Sequence, residues 1–130
     1  MADRTVMVVE DDALIREMVS HILAGEGFRA VGASNGEEAL HRLRVEHVRP
    51  ALILLDLMMP VMNGWQFRAE QLRDPALAGI PVVIMSASDG GDVPAEGHVG
   101  KPFEIDALLD AVSRLSSVGP ARGARLERRQ

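Results

Sequence analysis

Ala51-Leu52-Ile53-Leu54-Leu55-Asp56 stays apolar for five consecutive positions and closes on a carboxylate. A strand with one wet face alternates apolar and polar side chains, and this stretch does not alternate. A strand covered on both faces has this composition, which implies a parallel sheet between two helix layers. Four further polar residues also follow short apolar runs. Glu10 and Asp11 close Thr5-Val6-Met7-Val8-Val9, Ser86 closes Ile80-Pro81-Val82-Val83-Ile84-Met85, and Lys101 follows His98-Val99-Gly100. If these runs are parallel strands of one sheet, all five side chains meet at its carboxyl edge, where open α/β sheets bind ligands. Three carboxylates, a hydroxyl and an ammonium gathered there describe a site for a divalent metal and a phosphoryl group.

Helical patterns fill the spaces between the runs. Leu14, Ile15, Met18, Val19, Ile22 and Leu23 recur at helical spacing, and Gly25 and Gly27 stop that helix. A short strand is expected at about Arg29 to Gly32. Ser34-Asn35-Gly36-Glu37 reads as a capping box opening a helix through Ala39, Leu40 and Leu43. Another helix is expected from about Gly64 to Leu72, and a strand from Pro81 to Met85. Ile105, Leu108, Leu109, Val112 and Leu115 form one apolar stripe, the mark of a final helix. Strands alternating with helices imply right-handed crossovers and a doubly wound α/β sheet.

The chain has 130 residues, an apolar fraction of 47% and a formal net charge of −5. That size suits one domain, expected over residues 1–118. The acidic balance argues against nucleic acid as the main partner. No apolar stretch has the length of a membrane span, and Met1-Ala2-Asp3-Arg4 lacks the layout of a secretion signal. A soluble cytoplasmic protein is the resulting expectation. With no cysteine there is neither a disulfide framework nor a thiolate metal site. Residues 119–130 hold four arginines against one glutamate, which reads as a solvated basic tail. Lys101 is the only lysine among fourteen basic residues. A lone lysine in an arginine-rich chain suggests a place that needs a compact point charge on a flexible stem.

Glu10, Asp11 and Asp56 would repel one another unless something compensates. A bound cation does so, and Mg²⁺ suits a site with few protein ligands and several waters. Glu10 and Asp11 also stand where they would cap the first helix, a purely structural role. Asp56 is the candidate nucleophile, able to hold a phosphoryl group as an acyl phosphate. Ser86 would donate a hydrogen bond to one phosphoryl oxygen and Lys101 a charge-assisted bond to another. No residue looks like a dedicated general base, so the pattern suits holding a phosphoryl group with slow hydrolysis.

In this order the residues resemble the response regulator receiver domain of two-component signalling. Val8-Val9-Glu10-Asp11-Asp12, Leu55-Asp56-Leu57-Met58-Met59-Pro60 with Met62-Asn63-Gly64, Ser86-Ala87, and Lys101-Pro102-Phe103 look like its signatures, and the likeness covers about residues 4 to 115. The resemblance implies a flavodoxin-like five-stranded parallel sheet in the order 2-1-3-4-5. It implies that Asp56 is the phosphoacceptor, Ser86 the switch hydroxyl and Lys101 the phosphoryl-binding lysine. It implies Mg²⁺ on Asp11, Asp56, the backbone carbonyl of Met58 and, through water, Glu10. It also implies a cis Lys101-Pro102 peptide, phosphate from a histidine kinase or a histidine phosphotransfer protein, and output through contacts with another protein. Many members carry a DNA-binding domain; this chain ends after the last helix and resembles the stand-alone receivers, so direct DNA binding is not expected.

Two departures stand out. The stretch between Ser86 and Lys101 is about two helical turns short of the family's usual fourth helix and its loops. Gly90, Gly91, Gly97 and Pro94 oppose a helix there, which is expected to be absent or reduced to about one turn. Part of the sheet face should then be bare, or covered by something else such as a second copy in a homodimer. His98 stands where the family commonly has an aromatic switch residue, either as a pH-sensitive counterpart or as a half-exposed histidine on an edge strand. Met58, Met59 and Met62 read as packing, and Trp65 as half-buried or a partner contact. His21, His41 and His47 read as residues without metal partners.

Two other functions compete. An aspartate-nucleophile phosphohydrolase would need a second acid two residues after the nucleophile, where Met58 stands. A phosphate-independent binding module would keep its partner when Asp56 is replaced by asparagine. A flavin-binding module fits poorly, since Glu10-Asp11-Asp12 would repel a phosphate.

Overall fold

The computed structural model describes residues 4–87 and 93–116. The basic tail and the centre of the segment between Ser86 and Lys101 therefore lie outside the described residues. The elements run β1 (Thr5–Val9), α1 (Ala13–Gly25), β2 (Arg29–Ala33), α2 (Gly36–Arg44), β3 (Leu52–Asp56), α3 (Gly64–Arg73), β4 (Val82–Ser86), β5 (Gly97–Gly100) and α4 (Ile105–Leu115). All four strand pairings are parallel, and the sheet order is β2-β1-β3-β4-β5. This is the doubly wound flavodoxin-like sheet that the resemblance implies.

The unbroken apolar runs have a direct cause. Successive side chains on a strand point to opposite faces. Met7, Val9, Ile53, Leu55 and Ile84 pack with Leu40, Leu43 and Phe67 beneath α2 and α3. Val6, Val8, Leu52, Leu54, Val83 and Met85 pack with Val19, Leu23, Leu108 and Val112 beneath α1 and α4. Each of these buried side chains stabilises the fold by about 1.5–3 kcal/mol over its exposed state.

Helix starts follow their side-chain caps. Asp12 accepts from the amides of Leu14 and Ile15 at 2.9 and 3.2 Å and opens α1. α2 opens one residue later than the Ser34-Glu37 box implies. Its N-cap is Asn35, whose side chain accepts from the Glu38 amide at 2.8 Å. Glu38, rather than Glu37, turns back to accept from the Ser34 amide and hydroxyl. These bonds hold the Glu38 carboxyl below its ordinary range, the Ser34 amide contributing most. α3 carries a full capping box between Asn63 and Gln66 that the sequence pattern did not single out. At the other end of α1, Gly27 turns with φ 87°, a conformation glycine adopts without penalty.

Among the described residues no helix stands between β4 and β5, in accord with the shortened segment. The expected bare sheet face is realised in part: His98, which pairs with Ile84 and shares its face, is exposed, as is Gly100. Val82 and Ile84 are fully buried, and Val93 and Ala95 pack into the α2/α3 layer. A buried arginine secures this arrangement. Arg68 on α3 donates to the Pro94 carbonyl and to the Gln71 side chain, both at 2.8 Å, and lies 3.4 Å from Glu96. Glu96 in turn accepts from the Val82 amide at 2.7 Å. Gln71 donates onward to the carbonyls of Leu77 and Ile80. The β4 part of that face is thus filled from within the chain, while its β5 part stays open among the described residues.

His98 is exposed on β5, the edge strand. Met59 and Met62 pack as expected, but the Met58 side chain is exposed to 68%. Trp65 sits in the first turn of α3, 38% exposed. No helix among the described residues is long and apolar enough to cross a membrane.

Candidate functional site

Four strand ends converge at the carboxyl edge of the sheet. Glu10 and Asp11 follow β1, Asp56 ends β3, Ser86 ends β4, and Lys101 follows β5. The parallel register explains the meeting, since Val9 pairs with Leu55, Asp56 with Met85 and Ser86 with Gly100. Glu10, Asp56 and Ser86 are buried, at 1%, 5% and 4% exposure. Asp11 is exposed, which leaves the cluster open to solvent on one side.

One carboxylate oxygen from each of Glu10, Asp11 and Asp56 lies within 4.8 Å of the others. No other group of three such ligands occurs among the described residues. The Lys101 ammonium donates to Glu10 Oε2 at 2.6 Å and stands 3.5 Å from Asp56 Oδ1. The Met58 amide points at the same Asp56 oxygen from 3.4 Å, and the Asp12 amide reaches Glu10 Oε1 at 3.3 Å. Asp12 itself caps α1, so the run of three acids divides into two site residues and one cap.

The electrostatics follow from burial. Loss of water, then the Glu10 charge, push the Asp56 carboxyl up to about 6, while Lys101 and the Met58 amide pull the other way. Burial also disfavours the Lys101 ammonium, but its hydrogen bond to Glu10 and the two carboxylate charges outweigh that and raise its pKa. Lys101 therefore stays charged, and the carboxylates still outnumber it. Hard oxygen donors with surplus negative charge and an open side fit Mg²⁺.

The structure also shows why the Asn63-Gly64 signature belongs to the site. The Gly64 amide donates to the Leu57 carbonyl at 2.9 Å. A Cβ on Gly64 would come within 2.5 Å of the Asp56 carbonyl oxygen and 2.7 Å of the Leu57 Cα. Only glycine lets α3 begin this close to the backbone that carries Asp56. Between them, Val61 sits at φ 70°, and the Met62 amide bonds the Pro60 carbonyl across it at 2.8 Å. The Met62 carbonyl then accepts from the Gly36 amide, joining this loop to the start of α2. The Lys101-Pro102 peptide is cis.

Sequence reading did not find Arg16, which donates to the Glu10 carbonyl at 2.6 Å. Its signal was faint: a part-buried arginine on the polar side of an amphipathic helix. It also overlooked Arg68, which acts between segments far apart in the chain.

The model of the response regulator receiver domain matches residues 6–113. The phosphate regulon transcriptional regulatory protein PhoB of Pseudomonas aeruginosa is 33% identical over 129 residues, covering 92% of this chain and 56% of PhoB. This chain spans about half the length of the curated relatives it matches. The chemotaxis protein CheY4 of Vibrio cholerae superposes with a TM-score of 0.79 at 30% identity, covering 88% of this chain and 99% of CheY4. The receiver domain of sensor histidine kinase PA1611 from Pseudomonas aeruginosa, solved with a magnesium ion in its active-site cleft, shares the fold. Its TM-score is 0.79 at 21% identity, over 88% of this chain and 98% of that one. Signature residues, strand order and family match agree, and the chain belongs to the response regulator receiver domain family.

Proposed function

We propose that this chain is a phosphorylation-operated switch that accepts a phosphoryl group on Asp56 and passes its state on through protein contacts. The observation that carries the proposal is the meeting of Asp56, Lys101 and two further carboxylates at the carboxyl edge of the sheet. A histidine kinase or histidine phosphotransfer protein is the donor class. An Asp56 carboxylate oxygen attacks phosphorus, and the phosphorus–nitrogen bond of the donor's phosphohistidine breaks with its electron pair leaving on the imidazole.

Asp11, Asp56 and the Met58 carbonyl would hold Mg²⁺ directly, with Glu10 acting through water. The ion supplies charge neutralisation between the carboxylates and the phosphoryl oxygens. Lys101 already lies within reach of both Glu10 and Asp56, so a small shift of its ammonium suffices to hold a phosphoryl oxygen. Ser86, buried at the end of the strand beside β3, donates its hydroxyl to another. Lasting attachment rather than turnover is supported by Met58, which offers no acid where a phosphohydrolase needs one.

The test is incubation with Mg²⁺ and acetyl phosphate, read by intact-protein and peptide mass spectrometry. A single phosphoryl group on Asp56, absent with EDTA and absent in Asp56→Asn, is expected. An unmodified wild-type chain at saturating donor and metal would refute the proposal. Steady phosphate release from small phosphomonoesters would favour the hydrolase instead.

A further inference from the structure

Glu10 is held at four points. Its amide donates to the Ala33 carbonyl at 2.9 Å, and its carboxylate oxygens take the Asp12 amide and Lys101. The fourth point is its carbonyl, which accepts from Arg16 Nη1 at 2.6 Å. That carbonyl belongs to the peptide joining Glu10 to Asp11. A peptide is planar, so fixing its oxygen fixes the positions of the Asp11 amide nitrogen and Cα, from which its side chain departs. Asp11 itself is exposed.

Arg16 reaches Glu10 across β2. Its stem lies on Gly32, where an added Cβ would come within 3.1 Å of Arg16 Cδ and 3.5 Å of Cγ and Nε. Glycine at this strand position lets the stem lie flat along that path. Outside it lies an open groove of about 490 Å³ lined by Arg16, Glu17, Ser20, His21, Ala24 and Gly32. A displaced stem has room to move outward, so crowding at Gly32 would shift the guanidinium with little effect on packing.

We propose that Arg16 is the positioning residue of the metal-binding half of the site: by holding the Glu10 carbonyl it aims Asp11, and Gly32 keeps Arg16 in place. The proposal rests on the Mg²⁺-dependent reading above. It predicts a sign that charge alone would not give. A guanidinium beside a cation site repels the cation, so deleting it would tighten Mg²⁺ if charge dominated. Loss of aim weakens Mg²⁺, in the way that removing groups which orient metal ligands commonly costs 10- to 100-fold in affinity.

The test uses the full chain. Mg²⁺ affinity is measured by titration calorimetry, stability by thermal unfolding in EDTA, and phosphorylation by acetyl phosphate at limiting and saturating Mg²⁺. Arg16→Ala should weaken Mg²⁺ about tenfold, and its phosphorylation deficit should vanish at saturating metal. Gly32→Ala retains every charge and should weaken Mg²⁺ severalfold in the same direction, with unfolding in EDTA close to wild type. If Arg16→Ala does not fold, Gly32→Ala and Arg16→Lys decide, the latter keeping the charge without the reach of the planar fork. Wild-type or tighter Mg²⁺ binding in these variants overturns the role of Arg16 while leaving the switch intact. A wild-type chain that neither binds Mg²⁺ nor takes up a phosphoryl group overturns both.

Discussion

Replacing Asp56 should make the metal-free protein more stable. Burial and the Glu10 charge raise the Asp56 carboxyl from an ordinary value of 3.8 to about 6. A raised folded-state pKa means the fold prefers the neutral acid. Its stabilising contribution is complete below the unfolded-state value and is lost as pH rises through the folded-state value. The shift of about 2 units corresponds to roughly 3 kcal/mol of strain on the charged site above pH 7. Asp56→Asn cannot ionise, so it should exceed wild type by an amount approaching that figure at pH 7.5 in EDTA. The gap should narrow as pH falls from 7 to 4 and close below it. Urea unfolding at a series of pH values in EDTA measures the difference. Added Mg²⁺ should reverse it if wild type takes the cation as proposed, because the variant lacks one of the proposed ligands. Equal urea midpoints at pH 7.5 without metal, or a gap that persists unchanged at pH 4, would refute the electrostatic account.

Three other changes have defined outcomes. Lys101→Met leaves the buried Glu10 carboxylate without its cation and should cost about 3–5 kcal/mol in urea unfolding, with Asp56 phosphorylation strongly slowed. Gly64→Ala drives a methyl group into the backbone of Asp56 and Leu57. It should destabilise by about 1–3 kcal/mol and weaken Mg²⁺ binding, read by calorimetry. Arg68→Ala strips partners from the Pro94 carbonyl, Gln71 and Glu96 at once. Hydrogen exchange should rise first at Val82 and from Val93 to Val99, with a stability loss of about 2–4 kcal/mol.

The legible parts of this molecule were those where one physical cause leaves a mark on adjacent residues. β1, β3 and β4 are buried on both faces, so their runs announce themselves, and parallel pairing brings the residues after them together. The meeting of Glu10, Asp11, Asp56, Ser86 and Lys101 at one edge was expected on that basis. The start of α2 was misplaced by one residue because Ser34 and Asn35 can both cap, and only the backbone angle decides between them. The sheet face beside the shortened segment is bare at His98 and Gly100 as expected but covered over β4, because composition alone does not show that Val93 and Ala95 turn inward. Arg68 and Arg16 act on carbonyls, which have no identity in a sequence, so their partners were invisible until the chain was folded. Met58 was read as packing, yet its place after β3 turns it to solvent.

The alternation along β3 separates closeness in sequence from closeness in energy. Leu54 and Leu55 are joined by one peptide bond, yet each belongs to a different core with its own helices. Leu54 shares its core with Val19 and Val112; Leu55 shares its core with Leu43 and Phe67. The sheet acts as a wall between two rooms, and a receiver built this way can vary one side without disturbing the other.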